Sequence, residues 1–218
     1  MWILLRGTVC AALLGCSGQI LADPVRDMVV AAQLDNPSTV RKLLAGGMTP
    51  NTVDPVSGEP VVIVALREGS SNVVDLLLAH KEFALEQAAP NGNTALMMAA
   101  FKHNKRAAEI LLARGASVNR TGWTPLHYAA SSGDVDIANM LLASGAKLDA
   151  RSPGNFTPLM MAAREGHPDV AVLLVQKGGN PVLKNDENLT AAQIARRADR
   201  ADIAAAIEKH ASAAGHGK

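Results

Sequence analysis

One phase runs through almost the whole chain. Thr124-Pro125-Leu126-His127-Tyr128-Ala129-Ala130 returns 33 residues later as Thr157-Pro158-Leu159-Met160-Met161-Ala162-Ala163. The same phase recurs at Thr94-Ala95-Leu96-Met97-Met98-Ala99-Ala100 and at Thr190-Ala191-Ala192-Gln193-Ile194-Ala195. In worn form it is visible at Pro60-Val61-Val62-Ile63-Val64-Ala65 and Arg26-Asp27-Met28-Val29-Val30-Ala31. A fixed period of this kind constrains folding more than composition does, because each unit is too small to bury its own apolar face and must stack on a neighbour. From the Thr-like position to the closing position there are 21 residues at Arg26 to Gly47, Pro60 to Lys81, Thr94 to Gly115, Thr124 to Gly145 and Thr157 to Gly178. The connectors that follow run 13, 13, 9, 12 and 12 residues, so all length variation sits in loops that need not pack.

Local physics inside each unit predicts a pair of helices. Thr124 and Thr157 are placed as N-caps whose hydroxyls accept a free helix N–H, and Pro125 and Pro158 fit the first helical position. Gly69, Gly133 and Gly166 lie nine residues on, where a left-handed residue ends a short first helix. A second apolar stripe then follows with helical spacing, Ile137, Met140, Leu141 and Leu142 in one unit and Val170, Leu173 and Leu174 in the next. Ala31, Ala65, Ala99, Ala129, Ala162 and Ala195 share one register position, where small side chains let inner helices approach closely. His103 stands where other units place glycine, so strain is expected there.

These residues resemble the ankyrin repeat. The resemblance implies an all-α solenoid of about six stacked helix-turn-helix units with short finger loops, the units spanning about 24–57, 58–91, 92–121, 122–154, 155–187 and 188–210. The last unit lacks the closing Leu-Leu and Gly and carries Arg196, Arg197, Asp199, Arg200 and Asp202, as a polar terminal cap would. Residues 211–218 are read as a flexible Ala/Gly-rich tail.

The first 22 residues fall outside the register. They hold a lone Arg6, an apolar run from Thr8 to Leu14 and a small-residue cleavage pattern ending at Ala22, the pattern of a bacterial export signal. Leu13-Leu14-Gly15-Cys16 offers a second reading, a lipoprotein signal in which Cys16 carries the lipid. Either reading places the repeats in the periplasm or at the envelope of a Gram-negative cell. Both cysteines, Cys10 and Cys16, lie in this leader, so cleavage after Ala22 leaves no thiol to misoxidise. It also removes Arg6, leaving 20 basic residues against 20 acidic ones, and a neutral chain is a poor match for nucleic acid. No membrane span is expected after cleavage.

Chemistry-bearing patterns are missing from the sequence. Six histidines form neither a His-Glu-x-x-His pair nor a Cys-His set, and neither a Gly-rich phosphate loop nor a Gly-x-Ser-x-Gly elbow occurs. Asp134 and Asp136 read as charges favouring the N-terminal end of a helix, His127 as a structural residue beside the capping Thr124, and the Met pairs as core. The chain is therefore read as a non-enzyme without cofactor or metal.

Ankyrin arrays bind proteins, and the resemblance implies a concave surface formed by the residue before the Thr position and the two after the paired alanines. Aromatics are only 3% of the chain. Of the five beyond Ala22, Phe101, Trp123 and Phe156 fall on those positions, while Tyr128 is assigned to the core. Lys102, Arg164 and Arg67 supply a mildly basic rim. The implied partner is a folded protein bound by a monomer; the other readings are a secreted effector acting on a host or neighbouring cell, and a stress-protective binder of metal or small ligand.

Overall fold

The computed structural model describes residues 23–213, and twelve α-helices follow one another as six antiparallel pairs. The inner helices are α1 (Pro24–Gln33), α3 (Val61–Glu68), α5 (Ala95–Phe101), α7 (Pro125–Ser132), α9 (Pro158–Glu165) and α11 (Ala191–Arg197). Their outer partners are α2 (Pro37–Ala45), α4 (Ser71–Leu78), α6 (Lys105–Ala113), α8 (Val135–Ala143), α10 (Pro168–Gln176) and α12 (Ala201–Ala213). Each inner helix contacts the next inner helix and its own outer partner, so the core is a continuous ribbon between neighbours. Finger loops join the units, carrying isolated bridges at Val53 to Pro60 and Ala88 to Thr94, and no extended strand forms among the described residues.

Burial follows the expected register. The alanine column from Ala31 to Ala195 is closed to solvent, as are Leu96, Leu126 and Leu159 below it and Leu77, Leu111 and Leu141 on the outer helices. Met97, Met98, Met160 and Met161 are buried against neighbouring units. Such contacts explain why short helices, marginal in isolation, hold together here.

Several local features depart from the sequence reading, each for an identifiable reason. Helix α1 does not start at Arg26: Asp23 caps it, Oδ1 accepting from the N–H groups of Val25 at 3.0 Å and Arg26 at 3.3 Å, with Pro24 at the first position. At α7 the Thr124 hydroxyl forms a capping box with His127. It sits 2.9 Å from His127 Nδ1, which also accepts the Thr124 N–H at 3.2 Å. Thr94, Thr157 and Thr190 accept from the N–H three residues on. The tail starts later than residue 211, because α12 runs through Ala213 and buries Ala211 one turn beyond Ile207. Residues 1–22 and 214–218, which include the expected leader, Cys16 and the rest of the expected tail, lie outside the described residues.

The residue closing each inner helix is left-handed in every unit: Asp35, Gly69, His103, Gly133, Gly166 and Asp199. Gly133, at φ +81°, shows where glycine is required. A Cβ there would lie 2.4 Å from the His167 ring, which rests on it and donates Nε2–H to the Ser131 carbonyl at 3.0 Å. His103 holds φ +56° at a cost that its bond to Asp134, 3.0 Å from Nδ1 to Oδ2, helps to offset.

Candidate protein-binding face

The row of inner helices forms the face on which the expected anchors lie. Phe101 ends α5 and remains 44% exposed. Trp123 is the last residue of the shortest connector, set immediately before the cap of α7, and Tyr128 projects from α7 itself. The three rings meet edge to face, with centroids 6.1 Å apart for Phe101 and Tyr128 and 6.4 Å for Trp123 and Tyr128. Together with Ser131, Met161 and Arg164 they line a groove of about 200 Å³ that crosses α5, α7 and α9.

His127 anchors this groove from beneath. It is fully buried, and its two ring nitrogens have separate jobs: Nε2–H donates to the Phe156 carbonyl at 3.0 Å, which leaves Nδ1 as the acceptor for Thr124. Its ring also meets Trp123 edge to face at 5.3 Å. Burial lowers its pKa from 6.5 to about 4, against the opposing pull of the Phe156 and Ala150 carbonyls, so the ring is neutral at pH 7. Tyr128, assigned to the core from its register, is partly buried and packs against the core. Its hydroxyl donates to Asn93 Oδ1, and burial raises its pKa, with that bond opposing the rise.

Phe156 opens onto a second groove of about 190 Å³, shared with Leu189, Ile194, Ala198, Asn185 and the ion pair of Arg197 with Glu187. Arg164 borders both grooves. Its guanidinium carbon lies 5.2 Å from the Phe156 ring centre and its Nε donates to Glu165 at 2.9 Å. Asn185 is buried, Oδ1 accepting from Glu187 N–H at 3.1 Å and Leu189 N–H at 2.9 Å; its Nδ2 has no hydrogen-bond partner among the described residues. Leaving such a donor unsatisfied costs about 1–3 kcal/mol.

The predicted rim divides. Lys102 follows Phe101, exposed and outside both grooves. Arg67 belongs elsewhere, paired with Glu59 and Glu68 over a separate depression with Pro90 and Asn91. Phe101, Trp123 and Arg164 thus share one groove, and Phe156 joins Arg164 in the next. Sequence reasoning did not place Tyr128 or Asn185 on this face, whereas Arg197 already stood at one of the concave positions of the repeat. Asp134 accepts the Ile137 N–H at 2.8 Å, and Asp136 meets Lys105 Nζ at 2.9 Å, so both carboxylates serve the fold. Among the described residues no cluster of three His, Cys, Asp or Glu could hold a metal ion, and no helix is long and apolar enough to cross a membrane.

Residues 28–121 and 84–152 match the family model for ankyrin repeats in three copies, and 154–186 match the single ankyrin repeat. Protein phosphatase 1 regulatory subunit 27 of Mus musculus is 35% identical over 88 residues, 39% of this chain and 57% of that protein. Transient receptor potential cation channel subfamily A member 1 of Homo sapiens is 31% identical over 118 residues, 53% of this chain and 10% of that protein. Protein fem-1 homolog A-like of Mus musculus is 38% identical over 76 residues, 34% of this chain and 12% of that protein. The match therefore spans little more than half of the first of these relatives and about a tenth of the other two. A stacked series of helix pairs closed by left-handed residues, repeated in the register that the family models recognise, makes this chain a member of the ankyrin-repeat family, an array built for protein interaction.

Proposed function

We propose that the chain is a non-catalytic adaptor that captures a folded protein partner on its inner-helix face, in the periplasm or at the cell envelope. The observation that carries the docking reading is the groove of Phe101, Trp123 and Tyr128. Large rings gathered at the centre of an otherwise aromatic-poor protein are the side chains that dominate binding energy when a partner covers them. The export reading is supported by the leader, and by Asp23, the residue after the expected cleavage, being the one that caps α1.

Affinity capture from envelope extract, using the chain from Asp23 onward beside a Phe101→Ala, Trp123→Ala, Phe156→Ala variant of equal helicity, tests the docking face. A protein retained by the parent and lost by the variant is the expected result; equal capture refutes this face. Intact mass of the chain purified from cell fractions tests the address. A start at Asp23 in the periplasmic fraction is expected, a lipid on Cys16 moves the protein to the membrane, and an intact leader in the cytoplasm refutes export.

A further inference from the structure

Donors without acceptors mark what this face takes. Arg164 is set between the two apolar grooves, stacked on Phe156, and only its Nε is occupied, by the neighbouring Glu165. Neither Nη1 nor Nη2 bonds to any described residue, and both point the chemistry of the site toward an incoming oxygen. Asn185, whose buried Nδ2 is also unmatched, lines the second groove, where Glu187 and Arg197 pair with each other. No carboxylate lines the groove around Trp123, and His127 in its floor is neutral, so Arg164, paired through Nε with Glu165, is the one charged side chain that lines it. Lys102, beside Phe101, has no ion pair among the described residues and adds to the same sign.

We infer, resting on the docking reading above, that the partner presents an extended segment with one Asp or Glu set between two large apolar side chains. The carboxylate pairs with the Arg164 guanidinium, and the apolar side chains fill the grooves on either side. In an extended chain, residues two apart point the same way, so the apolar residues stand two positions before and two after the acid. A planar fork already held over an aromatic ring suits a carboxylate better than a flexible ammonium would, because less freedom is lost on pairing.

The test uses capped synthetic peptides in which Asp, Asn or Lys is separated by one Ser on each side from Leu, Ile, Met, Phe or Trp in every combination. Binding to the chain from Asp23 is read by fluorescence anisotropy. The Asp peptides are expected to bind about tenfold or more tightly than their Asn counterparts, with Lys weakest, and the preference falls as salt is raised. Arg164→Gln, checked for unchanged helicity, is expected to erase the preference for Asp and keep the preference for apolar flanks. Arg164→Lys restores part of it, and Trp123→Ala weakens every peptide. Equal binding of Asp and Asn peptides, still lost in Trp123→Ala, overturns the carboxylate inference and leaves the docking groove standing. If no peptide binds the parent better than the triple alanine variant, the inference also fails, while envelope capture decides the docking reading separately.

Discussion

Acid should loosen this array through His127, and the size of the effect follows from its surroundings. The ring is fully buried and its pKa is lowered to about 4, whereas in the unfolded chain it returns to about 6.5. Between those values the unfolded state binds a proton that the folded state refuses, so stability falls as pH drops from about 6.5 and levels off below about 4. A displacement of about 2.5 units at 1.36 kcal/mol each amounts to ~3 kcal/mol in full, and about 2 kcal/mol is already lost between pH 7 and pH 5. Protonation also places a proton on Nδ1, where the Thr124 N–H and hydroxyl converge, and so breaks the start of α7.

The comparison variant is supplied by the protein itself. In the last unit Gln193 stands at the position of His127, and its Oε1 accepts the Thr190 N–H at 2.9 Å. His127→Gln therefore keeps an acceptor for the cap and removes the titration. Urea unfolding of parent and variant made from Asp23 onward, followed by the fluorescence of Trp123, the one tryptophan beyond residue 22, reads the difference directly. At pH 7 the parent should be more stable by about 1 kcal/mol, the worth of its bond to the Phe156 carbonyl. The two curves should cross between about pH 5 and 6, and the variant should lead below. Parallel curves from pH 7 to 4 would refute the buried neutral ring.

Three other outcomes are expected. Gly133→Ala should cost about 2–3 kcal/mol, since it combines left-handed strain with displacement of the His167 ring, while Gly145→Ala, at φ +85° with nothing within 4 Å of its Cβ, should cost only about 1 kcal/mol; thermal or urea unfolding distinguishes them. Asp23→Ala should remove about 1 kcal/mol and speed amide exchange in α1 without changing the last three units. Amide exchange should be fastest in α2, which buries only Val40, and slowest in α7 and α9, which have neighbours on both sides; uniform protection along the array would contradict this.

Helix pairing was legible in the sequence because its signals are local. Thr-Pro starts, left-handed ends and the alanine column each specify one position from a few neighbouring residues. Where the repeat phase and local chemistry disagreed, local chemistry prevailed: phase pointed to Arg26, but Asp23-Pro24 is a cap followed by a first-turn proline. The end of α12 was also written in the chain, since Ala204, Ile207 and Ala211 continue one helical face beyond the last repeat boundary. Tyr128 was less accessible to such reasoning. It shares its register with Met98 and Met161, which are buried, but its longer ring carries the hydroxyl out to Asn93 and turns a core position into a groove wall. Asn185 depends on a finger loop folding back on itself, and no periodicity encodes that.

Fold and candidate site meet in His127. The residue that orders the first turn of α7 also holds the Phe156 backbone across 29 positions of sequence and supports the edge of Trp123. Two proposed anchors from adjacent units are therefore positioned by one buried ring, and their spacing is set before any partner arrives. Preorganisation of this kind reduces the ordering cost of binding. It also ties the face to the proton balance of the core: when Nδ1 is protonated, the cap and the platform beneath Trp123 fail together. Because the folded ring stays neutral until about pH 4, partner capture by the folded parent should hold down to that pH and decline below it. In His127→Gln, capture should change little across pH 4, whatever its affinity at pH 7. If capture by the folded parent persisted undiminished well below pH 4, the anchors would have to be positioned independently of His127.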